Sequence, residues 1–219
     1  MSQNEIKIKV VLLGESGVGK TSIILRFINN IFSKNQVSTI LATFSSKRIS
    51  YNDNKDIILY NIWDTAGQEK FRSIAKINYK DAGVIILVFD ITNQNSFENI
   101  KEYWYPEVKE NAPEHAIIAL VAAKCDLIEE KEVNFEEVES YVKSINVIYK
   151  KTSSLTNKGI DELFEEIGKK ILSFDNFEEM IFVRKDTTTI DDNDDQGSKA
   201  TSNRQKSIAK VKNSKTRCC

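Results

Sequence analysis

Eight residues, Gly14-Glu15-Ser16-Gly17-Val18-Gly19-Lys20-Thr21, set the tightest limit on what this chain can fold into. Residues 6–13 ahead of them form an apolar run of strand length, and residues 20–30 behind them carry Ile23, Ile24 and Phe27 at helical spacing. A strand that turns through glycines into a helix lets the backbone wrap an anion, with amide N–H groups and the helix N-terminus facing it. The eight residues fit the phosphate-loop pattern in the context it needs. Lys20 is placed to reach the outer phosphates of a nucleotide, and the Thr21 hydroxyl to sit on Mg²⁺. The pattern alone does not separate GTPases from ATPases or small-molecule kinases.

Further apolar strands are expected at residues 57–63, 84–90, 116–122 and 147–149, with helical patterns between the later ones. That alternation implies an α/β fold built on a mainly parallel sheet covered by helices. Ser96 suits the N-cap of a helix through Glu110, which Pro106 should kink or limit in its regular part. A last helix is expected over residues 159–174. The chain divides into a folded domain over residues 1–174 and a tail over residues 175–219. From about Asp186 it turns polar, first acidic and then basic, the composition of a disordered segment.

Composition removes several function classes. Cys125 and the pair Cys218 and Cys219 are the three cysteines and His115 the single histidine, which gives neither a disulfide framework nor a zinc-ligand spacing. No stretch approaches the roughly 20 apolar residues that span a bilayer. The first ten residues lack the apolar core of a secretion signal, and Ser2 stands where myristoylation requires glycine, so a cytosolic protein is expected. After Gln196 the chain has seven basic residues and no acidic ones, so the remainder is acidic.

Three further segments carry a resemblance: Trp63-Asp64-Thr65-Ala66-Gly67-Gln68-Glu69, Lys124-Cys125-Asp126 and Thr152-Ser153-Ser154-Leu155. With the phosphate loop they resemble the motifs of Ras-superfamily small GTPases over about residues 6–174, and the closing Cys218-Cys219 resembles the doubly prenylated ending of the Rab family. The resemblance implies a small G protein fold, a P-loop NTPase with a six-stranded, mainly parallel sheet flanked by helices on both faces. It implies that Gln68 orients the attacking water, with Lys20 and Thr39 completing the catalytic set, and that Thr21, Thr39 and Asp64 hold Mg²⁺. Contacts to GTP or GDP are implied for Glu15, Ser16, Gly17, Val18, Gly19, Lys20, Thr21, Ser22, Phe32, Thr39, Gly67, Lys124, Asp126, Leu127, Ser153, Ser154 and Leu155. Asp126 would accept two hydrogen bonds from guanine and so reject adenine, while a backbone amide near Ser154 would meet the guanine carbonyl.

The same resemblance implies regulation of vesicle trafficking by a switch that hydrolyses GTP slowly alone. Its partners would be an exchange factor, a GTPase-activating protein supplying an arginine, a GDP-dissociation inhibitor or escort protein, and effectors. Prenyl groups and the basic tail would hold it on the cytoplasmic face of intracellular membranes, endosomal ones among them; a monomer without a nucleic-acid partner is expected.

The chain departs from the family at two places. Ala123 stands where the family has asparagine before the lysine, and Leu41 where a glycine follows Thr-Ile; the first predicts weakened nucleotide affinity. Three alternatives stay open. The segment over residues 96–108 looks like the Rho branch, although residues 126–153 leave no room for that branch's extra helix. A hydrolysis-poor recruitment module would also tolerate Ala123. A metabolite kinase would need a lid rich in arginine, against Arg26, Arg48, Arg72 and Arg184 here.

Overall fold

Every residue of the strand Val84–Asp90 is buried, whereas burial alternates along Asp56–Asp64, and this difference separates the centre of the sheet from its flank. The computed structural model describes residues 4–36, 39, 42–53, 55–65, 67 and 78–174. Their elements are β1 (Asn4–Leu13), α1 (Lys20–Asn29), β2 (Thr43–Tyr51), β3 (Asp56–Asp64), β4 (Val84–Asp90), α2 (Gln94–Asn99), a π-helical turn (Ile100–Trp104), α3 (Tyr105–Asn111), β5 (Ile117–Ala123), α4 (Phe135–Ile145), β6 (Ile148–Lys151) and α5 (Ile160–Leu172). The six strands lie in the order β2-β3-β1-β4-β5-β6. All pairs are parallel except β2 with β3, which is antiparallel from Thr43 opposite Asp64 to Tyr51 opposite Asp56.

Because successive strand residues point to opposite faces, the two halves of the core interleave along each strand. Val10, Leu12, Val84, Ile86 and Val88 pack on one face with Ile23, Ile24 and Phe27 of α1 and Leu163, Phe164 and Ile167 of α5. Val11, Leu13, Ile85, Leu87 and Phe89 pack on the other with Phe97, Ile100, Trp104, Val108 and Val138. Phe27 stacks on Phe164 with ring centroids 3.5 Å apart, joining α1 to α5. Burying one such side chain contributes about 1.5–3 kcal/mol, so this pair anchors the helix that leaves the phosphate loop.

One sequence expectation is corrected and another narrowed. Ser96 is not the N-cap: Asn93 is, its side chain accepting from the Ser96 amide, while the Ser96 hydroxyl is buried between Asp90 and Asn93. Of the two effects expected of Pro106, the helix shows the limited regular part and not a kink at the proline itself. The chain widens ahead of it, with Tyr105 N–H bonded to the carbonyl of Ile100, five residues back. A proline has no N–H to give and its ring strikes the carbonyl four residues back; the wide turn moves that carbonyl away. Strand β2 was not named from the sequence: as an edge strand it buries no residue fully, its half-buried face carries polar Ser45 and Lys47 beside Ile49 and Tyr51, and Phe44 is exposed.

Among the described residues no helix is long and apolar enough to cross a membrane.

Candidate nucleotide-binding site

In this strand order β1 pairs with β3 on one side and β4 on the other, and the loops that follow these strands open at one end, the usual ligand position in such sheets. Gly14 begins the first loop at φ +141°, and a Cβ there would run into the carbonyl of Val88. Only glycine passes so close to the neighbouring strand. Lys20, at the first turn of α1, folds back over this loop and donates to the carbonyls of Gly14 (2.9 Å) and Glu15 (2.8 Å). It is 5% exposed. Burial lowers its pKa from 10.5 to about 8, against the opposing pull of Asp64 and Glu15. An ammonium bonded to neutral carbonyls at such cost is set to receive an anion.

Beside it three oxygens converge. Thr21 Oγ1 donates to Asp64 Oδ2 at 2.5 Å and lies 2.7 Å from Thr39 Oγ1, which is itself 3.2 Å from Asp64 Oδ2. Asp64 is 2% exposed, and its Oδ1 has no hydrogen-bond partner among the described residues. Burial raises its pKa, with the Thr21 hydroxyl, Lys20 and Thr39 pulling the other way. Two hydroxyls and a buried carboxylate with an unused oxygen fit a small hard cation such as Mg²⁺, which takes few protein oxygens. No group of three or more His, Cys, Asp or Glu side chains among the described residues forms a different metal site. Gly67 lies so close to this cluster that a Cβ would strike Lys20 Nζ and the Glu15 carbonyl.

A cavity of about 380 Å³ joins these groups to the loops that follow β5 and β6. That volume suits a nucleotide-sized ligand. Of the residues expected to touch nucleotide, Ser16, Gly17, Gly19, Lys20, Thr21, Ser22, Phe32, Thr39, Gly67, Lys124, Asp126, Leu127, Ser154 and Leu155 line it. Glu15, Val18, Asp64 and Ser153 do not: Val18 and Ser153 are buried in the supports of the loops. Ser33, Lys34, Gln36, Thr65 and Ala123 also line it. The first three follow Phe32 without any motif, so only their place in space marks them. Gln68, Leu41 and the tail with Cys218 and Cys219 lie outside the described residues.

The other end of the cavity is built by strand ends. Lys124 adopts φ +60° and its ammonium pairs with Asp90 at 2.6 Å. The loop after β6 is tied to β5 by Thr152 N–H to the Ala122 carbonyl (2.8 Å) and Cys125 N–H to the Thr152 carbonyl (2.9 Å). Next to this tie the Thr152 hydroxyl is fully buried with no partner among the described residues. Alanine at 123 has no side-chain amide to offer it.

The sequence model of the Ras family matches residues 9–173. The chain is 46% identical to the Ras-related protein RabJ of Dictyostelium discoideum over 164 residues, 75% of this chain and 63% of that protein, so it spans less than two thirds of RabJ. It is 39% identical to Rab-22A of Homo sapiens over 169 residues, covering 77% of this chain and 86% of that one. Rab-21 of Bos taurus is likewise 39% identical, over 164 residues, 75% of this chain and 72% of its own. These relatives carry Rab names, in agreement with the Rab rather than the Rho reading. With the family match running through the phosphate loop, the converging oxygens of Thr21, Thr39 and Asp64 and the loops after β5 and β6, the chain belongs to the Ras family and is a Rab-type small GTPase.

Proposed function

We propose that this chain is a guanine-nucleotide switch whose two states differ in how Thr39 and Gly67 meet the γ-phosphate. The observation that carries the reading is the convergence of Thr21, Thr39 and Asp64 on one point beside a desolvated Lys20, with Asp64 Oδ1 left without a protein partner. Rab-type GTPases regulate vesicle trafficking and hydrolyse GTP.

Thr21, Thr39 and Asp64 would hold Mg²⁺, which when bound neutralises charge between the outer phosphates. Lys20 exchanges two carbonyl partners for phosphate oxygens, whose negative charge offsets the cost of burying its ammonium. Loop amides of residues 16–21 complete the anion cradle. Asp126 reads the guanine edge and the stem of Lys124 lies along the ring, its ammonium fixed by Asp90. Phe32, which lines the same cavity, packs over the ring. Gln68 orients the water for in-line attack, and no side chain of the site acts as nucleophile. Loss of the γ-phosphate removes what Thr39 and Gly67 bind, and their segments are released to different partners.

In this reading the regulators are an exchange factor, a GTPase-activating protein that supplies an arginine, and a GDP-dissociation inhibitor or escort. Effectors recognise the GTP state, and the chain acts as a monomer. Prenyl groups on Cys218 and Cys219, with the basic stretch before them, attach it to the cytoplasmic face of endomembranes.

Single-turnover hydrolysis of GTP, with GDP and ATP as competitors, tests the reading on the native protein and on Gln68→Leu. Slow hydrolysis that GDP but not ATP inhibits, and that the substitution abolishes, is expected. Guanine binding without hydrolysis that depends on Gln68 would leave a recruitment module instead.

A further inference from the structure

The base loop of this chain lacks the side-chain tie that an amide at position 123 would make, yet it is held from another direction. Arg26 lies on α1, the helix that issues from the phosphate loop. Its Nε donates to the carbonyl of Ser154 at 2.7 Å and its Nη2 to the carbonyl of Leu155 at 3.3 Å, across 128 and 129 residues of sequence. Nη1 is fixed by the Asn30 carbonyl (2.8 Å) and side-chain oxygen (2.9 Å). Asn30 is the left-handed C-cap of α1, and its own amide returns to the carbonyl of Arg26. The three guanidinium nitrogens are thus committed, two of them to consecutive carbonyls of the base loop.

The peptide group converts this into direction. In a trans peptide the carbonyl of one residue and the N–H of the next point opposite ways. Drawing the Ser154 carbonyl onto Arg26 turns the Leu155 N–H away from α1. Among the described residues neither the Ser154 nor the Leu155 amide has a hydrogen-bond acceptor, and both residues line the cavity. The neighbouring amides are used: Ser153 N–H goes to the Lys158 carbonyl and Thr156 N–H to the Ser153 hydroxyl. Two free donors stand between two committed ones.

We propose that Arg26 is a positioning residue for base selection, its fork holding the Ser154 and Leu155 carbonyls on α1 so that the free Leu155 amide faces the 6-oxo group of guanine. The inference rests on the guanine-nucleotide reading above. It also links base and phosphate, since the clasp is carried on the helix whose first turn holds Lys20 and Thr21.

The test competes GDP, inosine diphosphate and 6-thioguanosine diphosphate against a fluorescent GDP on the full chain. Inosine diphosphate lacks the amino group that Asp126 reads; the thio analogue keeps that group and the ring N–H but offers sulfur, a poor acceptor, at position 6. In the native protein both analogues bind more weakly than GDP. In Arg26→Gln, GDP affinity should fall about tenfold and the preference for GDP over the thio analogue about threefold or more, with the preference over inosine diphosphate unchanged. Arg26→Lys keeps the charge but cannot span two carbonyls. It should show the same selective loss, and it carries the comparison if the glutamine variant does not fold. Equal weakening of all three nucleotides, or no change, would overturn the clasp as a selector. Failure of the native protein to bind GDP would overturn the guanine reading itself, and the clasp with it.

Discussion

The indole N–H of Trp104 donates to the Glu15 carboxylate across 3.2 Å, joining residues 89 apart in sequence and fixing the Ile100–Trp104 turn to the phosphate loop. Trp104 is 1% exposed. Trp104→Phe keeps most of the packing and deletes this donor, so it should cost about 1–3 kcal/mol and quicken GDP release several-fold. Urea denaturation and displacement of fluorescent GDP read the two effects. Native values for both would mean that the contact contributes nothing.

Ala123→Asn should give the buried Thr152 hydroxyl a partner and place an amide towards Gly19, whose Cβ position is 3.8 Å from the Ala123 methyl. GDP should bind about tenfold to a hundredfold more tightly, as an added buried hydrogen-bond set allows. Thr152→Val should then be harmless in the native background and damaging in the Ala123→Asn background. Calorimetric titration of the four proteins decides it; equal effects in both backgrounds would refute the pairing.

Lys20 gives a pH signature. Its folded pKa, about 8, lies below the ordinary 10.5, so between these values the unfolded chain binds the extra proton. Stability of the nucleotide-free domain from this group therefore rises with pH across that window, and the charged lysine weakens the fold at neutral pH. Denaturation of native protein and Lys20→Met at pH 7.5 and 9.5 isolates the contribution as a difference. A native protein that gains nothing on the variant at the higher pH would contradict it. Bound phosphate should abolish the gain.

Gly168 faces the phenol of Tyr51, which is hydrogen-bonded to Tyr60 (2.8 Å) and the Phe164 carbonyl (3.2 Å). A methyl at 168 would strike the phenol end of this ring, which could move aside only by giving up those hydrogen bonds. Gly168→Ala should cost about 1–3 kcal/mol, the usual penalty of overpacking, and Tyr51→Ala should absorb most of it in the double variant. Additive losses would show that the two sites are independent.

How much of this could be read from residue order depends on the range of the interaction. Val84–Asp90 announces itself because a strand buried on both faces is apolar throughout, and the phosphate loop because its chemistry lies in consecutive backbone groups. Thr39 and Asp64 follow from the family resemblance, and the structure brings both to Thr21. β2 escaped because an edge strand needs few apolar residues. Asn93 outcompeted Ser96 as the cap because Ser96 is drawn into the strand end at Asp90. Arg26 and Thr152 carry no local signal: each matters through partners that only the folded chain supplies.

The wide turn at Ile100–Trp104 has a genetic reading. It holds one residue more than a straight helix needs, stored between α2 and α3. Removing a single codon there would return the backbone to a regular helical path while leaving Phe97 and Val108 on their present faces. Elsewhere in these helices the same deletion would rotate every following side chain by about 100°, because a helix turns once in about 3.6 residues. The shortened chain would, however, bring Pro106 against an unrelieved carbonyl, so the extra residue and the proline are tolerable as a pair and should be lost or kept together.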